Sequence, residues 1–486
     1  MGVEGADTQA AAALPASPFG AAALEPGVVI DGFRLETRVH QGGMANLWQV
    51  NHPDHAQPLL MKVPRLRPGE DPATIVGFEV EQMILPTLTG PHVPHFIARG
   101  DFTHQPYIVM ERIEGSSLAS RADDAPLALD EVTELGARIA AALHDVHRQH
   151  VVHLDLKPEN VLQRGDGTAV LVDFGLSRHD ALPDLLAEEF RQPMGSWPYI
   201  APEQLHFVRS DPRSDLFALG VMLYQFTTGE LPFGEPQSMR ALRRRLHVQP
   251  APPRALRSDC PPWLQELILK CLEVDPAQRW QGAAHVALAL ADPRQVPLSA
   301  RAHRSAAAGW LARLRRRYFA LGQGAPTKAP RSARVQATRN PIILAAVDLS
   351  EGSSELAVQV REIVRRVVTT EPGARLACVS VLKTGLLSVD DYNDARGANR
   401  QVLQLAALKH WARPISKGLN LDEGRLTFHV LESTDPAAAL IEFAQRNGVD
   451  QIVMGARGHS TLRRYLGSVS SQVVAQAPCT VTVVRI

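Results

Sequence analysis

Asp155, Lys157, Asn160 and Asp173 are the residues of this sequence whose types and spacing fit a chemical task. They stand in His153-Leu154-Asp155-Leu156-Lys157-Pro158-Glu159-Asn160 and in Asp173-Phe174-Gly175. Transfer of a phosphoryl group needs such a set. One carboxylate orients the attacking hydroxyl and takes its proton, a cation balances charge on the moving phosphoryl, and hard oxygens hold a metal. Asp155 is the candidate base and Lys157 the cation. Asn160 and Asp173 are the candidate Mg2+ ligands. Asp155 need not be strongly basic, because positioning counts for more in a loose transition state.

Other segments must position these groups. Val39-His40-Gln41-Gly42-Gly43-Met44-Ala45-Asn46-Leu47 is glycine-rich, and glycine lets backbone amides approach phosphate without a Cβ in the way. Leu60-Met61-Lys62-Val63 reads as a strand carrying one cation. A helical stretch then offers two carboxylates, Glu79 and Glu81. A strand and turn follow at Tyr107-Ile108-Val109-Met110-Glu111-Arg112-Ile113-Glu114-Gly115. Downstream lie Gly195-Ser196-Trp197-Pro198-Tyr199-Ile200-Ala201-Pro202-Glu203, then Asp215, then Arg279.

In this order the motifs resemble those of bacterial eukaryotic-type Ser/Thr protein kinases, over roughly residues 30–290. The resemblance implies an α+β bilobal protein kinase fold using ATP and Mg2+. It gives Asp155, Lys157, Asn160, Asp173, Lys62 and Glu81 as the catalytic set. Val39, Gly42, Gly43, Leu47, Lys62, Met110, Glu111, Ile113 and Leu162 would surround the nucleotide. Glu81 is chosen as the partner of Lys62 because Leu85, Leu88, Pro91 and Val93 follow it at the family's offsets; Glu79 is expected to be exposed. The resemblance also implies that His153 packs against Asp173-Phe174-Gly175, that Glu203 pairs with Arg279, and that Asp215 holds the catalytic-loop backbone. Some positions around the nucleotide depart from the pattern. His40 and Ala45 replace glycines, and Leu60 replaces the small residue above the adenine. They favour the rival reading, a weakly active pseudokinase serving as nucleotide-binding scaffold or stress sensor; the intact catalytic set opposes it.

Leu154 is the departure with the most specific consequence. Most of the family has Arg there, a cation that waits for a phosphorylated activation loop. The segment 173–203 offers only Ser177, Ser196 and Tyr199 as acceptors, and no Thr. Both features point to a kinase independent of activation-loop phosphorylation.

At 486 residues the chain is too long for one core. Lys+Arg and Asp+Glu both total 51, so no overall charge draws it to nucleic acid, and no nucleic-acid partner is expected. Four cysteines without a C-x-x-C pair fit a reducing cytoplasm. No apolar run approaches the ~20 residues of a membrane span. Composition divides the chain into a disordered tail (1–28), a kinase domain (29–290), a basic Arg/Ala/Pro linker (291–339) and a last domain (340–486). Residues 309–321 could lie on an anionic membrane; a linker helix packed on a neighbouring domain is favoured.

The last domain opens with the apolar run Pro341 to Asp348 and closes with strand-like Thr480 to Ile486. Gln451-Ile452-Val453-Met454 runs into Gly455-Ala456-Arg457-Gly458, and Gly467-Ser468 follows after eight residues. Glycines, a hydroxyl and a following helix N-terminus suit a phosphate. These features resemble the universal stress proteins, which implies an α/β, Rossmann-like domain with a parallel sheet. The nucleotide site would use Asp348, Gly455, Gly458, Gly467 and Ser468, although the spacer is one residue short of the family's. A homodimer through this domain, a nucleotide-sensing role and coupling to the kinase are further implications. The charged region 383–425, helix-like up to Trp411, has no functional account from sequence, and neither does the protein substrate.

Overall fold

The computed structural model describes residues 24–42, 44–66, 71–102, 104–305, 340–349, 354–371, 373–383, 400–419, 421, 423–456 and 467–485. Most of the tail, the basic stretch 309–321 and residues 457–466 lie outside the described residues.

Alternation along short strands builds the first lobe. Strands β1 (Val29–Ile30), β2 (Phe33–Gln41), β3 (Ala45–His52), β4 (His55–Pro64), β5 (Phe96–Gly100) and β6 (Tyr107–Glu111) form an antiparallel sheet in the order β1-β2-β3-β4-β6-β5. On β4, Leu59, Met61 and Val63 bury against Leu35, Trp48, Val50 and Val109. The period of two turns Lys62 to the opposite face, toward helix α1 (Pro72–Ile84). Asp71 starts that helix by accepting from the Ala73 N–H at 2.9 Å, with Pro72 where no N–H is needed.

The second lobe is mainly helical. Its elements are β7 (Gly115–Ser117), α2 (Ala119–Asp123), α3 (Leu129–Arg148), β8 (Val151–Val152), β9 (Val161–Arg164), β10 (Ala169–Leu171), β11 (Arg178–His179), α4 (Leu185–Glu189), α5 (Arg213–Thr228), α6 (Met239–Leu242), α7 (Pro253–Leu256), α8 (Pro262–Cys271) and α9 (Ala283–Ala291). Helix α3 buries Val132, Leu135, Ile139, Leu143 and Val146, one stripe at helical spacing. Helix α5 is buried nearly all round, as a central helix must be, and stops at Gly229 in the left-handed region. Glu203 and Arg279 join in a bidentate pair at 2.7 and 2.7 Å beneath this lobe. The first part of the basic linker stays on the lobe. Arg301 binds Glu266 and Glu273, and Gln265 donates to the Arg301 and Arg304 carbonyls.

The C-terminal domain contains β12 (Ile342–Ala346), α10 (Ser354–Thr370), β13 (Arg375–Lys383), α11 (Arg400–Leu419), β14 (Leu426–Ser433), α12 (Pro436–Asn447), β15 (Gln451–Gly455), α13 (Ser468–Gln476) and β16 (Thr480–Val484). Its sheet is parallel, in the order β14-β13-β12-β15-β16. Ile343 and Ala345 pack with α10 and α11; Leu344 between them packs with α12 and α13. Burial on both faces explains why these strands read as continuous apolar runs. Among the described residues no helix is long and apolar enough to cross a membrane.

Arg279 and Glu203 are both almost wholly buried. Arg279→Ala leaves the carboxylate without its main counter-charge, and a loss of about 3–5 kcal/mol is expected. Urea denaturation of the full chain measures it; a loss below about 1 kcal/mol, the size of an exposed pair, would contradict the assignment.

Candidate active site

The catalytic loop is fixed by one buried carboxylate. Asp215, on the first turn of α5, accepts the His153 and Leu154 N–H groups, each at 2.8 Å, and lies 2.8 Å from His147 Nε2. Leu154 and Asp173 both have positive φ, 64° and 66°. A left-handed non-glycine residue costs roughly 1–2 kcal/mol. At Leu154, the Asp215 hydrogen bonds offset that cost. His153 packs on Phe174 with ring centroids 5.1 Å apart and lies 3.1 Å from the Val172 carbonyl, a structural position.

Asp155 sits in this loop with both oxygens engaged. Oδ1 accepts the Ser196 N–H at 2.7 Å, and Oδ2 accepts from Asn160 Nδ2 at 3.2 Å. Lys157 Nζ is 3.5 Å from Oδ2. Burial pushes the Asp155 carboxyl up and Lys157 only partly restrains it. Asn160 also gives its amide to the Asp155 carbonyl, 2.9 Å away, which leaves its side-chain oxygen as the acceptor. Asp173 is 46% exposed, enough to meet a ligand. One Asp173 carboxylate and one Asn160 amide oxygen are hard donors of the kind Mg2+ takes alongside water and phosphate oxygens, so these residues fit that ion. Among the described residues no cluster of three His, Cys, Asp or Glu forms a separate metal site.

Lys62 joins the sheet to both the helix and Asp173. Its Nζ is 2.6 Å from Glu81 Oε2 and 2.9 Å from Asp173 Oδ1. Burial pulls the lysine pKa down, but Asp173 and Glu81 outweigh it and the net shift is upward. Burial raises the Glu81 carboxyl while Lys62 opposes it. With the ammonium at 2.6 Å, we take the pair as charged. Asp173 is held below the usual carboxylate range, chiefly by Lys62.

The nucleotide-side residues line the cleft unevenly. Gly42 closes a turn, its N–H donating to Ala45 O at 3.0 Å and its carbonyl accepting from Arg65 at 2.7 Å. Gly43 lies outside the described residues. Val39 is exposed on β2, and Leu47 lies opposite Lys62 across β3 and β4. Met110 is buried opposite Leu60, and Leu162 is half-buried on β9. The Glu111 N–H is engaged by the His95 carbonyl at 2.8 Å, so only its own carbonyl is left to meet a base. Its side chain grips Arg164 of the second lobe at 2.6 and 3.0 Å, which holds the Glu111 carboxyl below its usual range. Ile113 follows at the hinge, half-buried.

Glu79 corrects one expectation. It is not exposed but 8% accessible, because Lys409 of the C-terminal domain lies 2.5 Å from it. Two further residues escape the motif reading. Gln204 donates to the Leu154 carbonyl at 2.9 Å and accepts the Ala201 N–H at 2.8 Å. Gly77 brings α1 onto Gly175: an added Cβ would lie 3.1 Å from the Gly175 carbonyl oxygen. A lone glycine inside a helical pattern is the signal that would have found it.

In the C-terminal domain, β12 and β15 are neighbours, with Ala346 opposite Met454. Asp348 and Gly455 therefore share the sheet's carboxyl edge where the strand order reverses, the place where open α/β sheets bind ligands. Gly467 precedes α13, and Ser468 begins it. Gly458 lies outside the described residues. An added Cβ at Gly455 would come within 2.7 Å of Leu356, so helix packing by itself accounts for that glycine.

The two domains have separate likenesses among known proteins. A probable serine/threonine-protein kinase PknB of Lactococcus lactis is 31% identical over 258 residues, 52% of this chain and 40% of that protein. Serine/threonine-protein kinase PknL of Mycobacterium bovis is 28% identical over 261 residues, 54% of this chain and 65% of that one. The chain thus spans well under half of the first relative's length. The crystal structure of the Mycobacterium tuberculosis PknI kinase domain aligns with 56% of this chain and all of its own, at 26% identity and a TM-score of 0.45. Residues 340–485 match the universal stress protein family. Residues 33–289, more than half of the sequence, match the protein kinase domain, and the chain belongs to that family.

Proposed function

We propose that this protein transfers the γ-phosphoryl group of ATP to Ser or Thr of a protein substrate. The observation that carries this reading is the closed set Lys62–Glu81–Asp173, with Asp155, Lys157 and Asn160 assembled across from it. Asp155 orients the substrate hydroxyl and takes its proton. Lys157 balances charge on the transferred group, and Lys62 orients the phosphates. Asn160 and Asp173 would hold Mg2+, which when bound neutralises phosphate charge.

Loop phosphorylation is not part of the reading. Leu154 is buried and places no cation beside Asp155. Ser177 is also buried, its hydroxyl donating to His153 O at 3.0 Å, and Tyr199 donates to Gln225 at 2.8 Å. The segment is fastened by side chains that follow it in sequence. Gln204 reaches Leu154, Arg209 grips Asp184 at 3.0 and 3.0 Å, and Arg245 reaches the Trp197 carbonyl at 2.7 Å and the Ile200 carbonyl. We further propose that the C-terminal domain regulates the kinase and senses nucleotide. The shared edge of Asp348 and Gly455 supports the second role.

Asp155→Asn is expected to lower labelling of a generic protein substrate by about 10²–10⁴-fold; equal labelling by wild type and variant favours the scaffold reading instead. Asp155 accepts a proton only as carboxylate, and its pKa is raised. The acid limb of kcat/KM should therefore lie above that of an ordinary aspartate near 3.9, activity falling as pH drops through the limb. Phosphatase treatment of the purified chain should leave kcat unchanged, and a large loss restored by autophosphorylation would sink the independence. Calorimetry with ADP should give two sites per chain; a stoichiometry of one removes the C-terminal nucleotide site.

A further inference from the structure

The C-terminal domain touches the kinase where catalysis is most sensitive to position. Lys409 of α11 reaches Glu79 Oε1 at 2.5 Å, with the Phe102 and Phe428 rings 4.8 and 5.3 Å from its ammonium. Glu79 lies on α1, two residues before Glu81. Arg375, at the start of β13, grips Glu188 with both terminal nitrogens at 2.6 and 2.6 Å and donates to Thr427 Oγ1 at 2.8 Å. His429 of β14 is fully buried, with Nδ1 2.8 Å from Glu189 Oε1 and Nε2 3.4 Å from Glu188 Oε2. Glu188 and Glu189 end α4, inside the activation segment. Val402, Leu405 and Val430 belong to the same buried cluster as Ile75 and Phe78 of α1 and Leu185 and Leu186 of α4. A cavity of about 460 Å3 remains at the junction, lined by Glu79, Arg99, Leu185, Lys409 and Phe428 among others.

The kinase side of this contact is a cluster of carboxylates on two separate elements. Glu79 stands on α1, and Glu188 and Glu189 stand on α4, which packs against α1. Burial pushes the Glu189 carboxyl up, His429 pulls it back, and Glu79 and Glu188 push it up again. Without counter-charges these groups repel and drive α1 from α4. In most of the family a phosphate on the segment meets an arginine of the catalytic loop. Here the segment carries fixed carboxylates, the catalytic loop has Leu154, and the groups that meet the carboxylate cluster are Arg375, Lys409 and His429.

We propose that the C-terminal domain is a cis-acting activator. Arg375, Lys409 and His429 are positioning residues that hold α4 against α1 and thereby keep Glu81 on Lys62. This rests on the kinase reading and names how the two domains are coupled.

The test uses the full chain with Arg375→Glu, Glu188→Arg and the double exchange, read by kcat, by KM for ATP, and by hydrogen exchange of residues 72–84. Each single reversal should lower kcat at least ~10-fold and raise exchange in α1 by a similar factor; the double exchange should recover both to within about threefold. Lys409→Met, at the other end of the contact, should act in the same direction and serves if a reversal fails to fold. Unchanged kcat together with unchanged α1 exchange in Lys409→Met and the single reversals would overturn the proposal. So would loss of kcat without recovery in the double exchange. If wild type shows no Asp155-dependent labelling, the kinase reading fails separately. The exchange data then still decide whether the contact holds α1.

Discussion

The ion pair between Lys62 and Glu81 is the contact on which the catalytic arrangement depends. It ties β4 to α1, and through Asp173 it ties the first lobe to the second. Its value is positional rather than energetic. Desolvating two charges roughly cancels their attraction, so such a pair contributes little net stability. What it contributes is a fixed distance between the sheet and Asp173, and it persists only while α1 is seated. Three surfaces seat that helix: the sheet under Lys62, the Gly175 backbone against Gly77, and the C-terminal domain over Glu79.

The catalytic loop obeys a second constraint, strain held by a buried acceptor. The left-handed Leu154 costs roughly 1–2 kcal/mol. Hydrogen bonds to a charged group contribute about 1.5–3 kcal/mol each. Asp215 accepts two from this stretch of backbone, so the strained geometry wins without help from a phosphate. The same logic runs through the activation segment, where Gln204, Arg209 and Arg245 saturate backbone carbonyls that a mobile loop would leave to water.

Much of the active site was legible because its chemistry is local in sequence. Asp155, Lys157 and Asn160 fall within one loop, and the family's offsets to Leu85, Leu88, Pro91 and Val93 separated Glu81 from Glu79 as the partner of Lys62. Strand Gln451–Gly455 and helix Ser468–Gln476 were visible as apolar and polar runs. The burial of Glu79 was not visible. A carboxylate in a helical pattern is normally solvated, and nothing near it in sequence announces Lys409. The stretch before Trp411 read as a helix without a purpose. Its two buried faces explain why: Leu408 and Ala412 pack on its own sheet, and Val402 and Leu405 pack on the kinase.

Residue type and spacing, read through the resemblance they carry, gave the two families, the candidate catalytic set and Leu154 in place of the family's arginine. Those properties belong to single loops and strands, where covalent connection fixes the neighbours. Tertiary structure decided which distant charges meet. Lys62 and Asp173 are 111 residues apart, Arg375 and Glu188 are 187 apart, and His429 and Glu189 are 240 apart. Periodicity assigns a residue to a face of its own element but carries no record of what that face will touch. Only the packing of α4 and α1 beneath the C-terminal domain turns scattered carboxylates into one coupled contact.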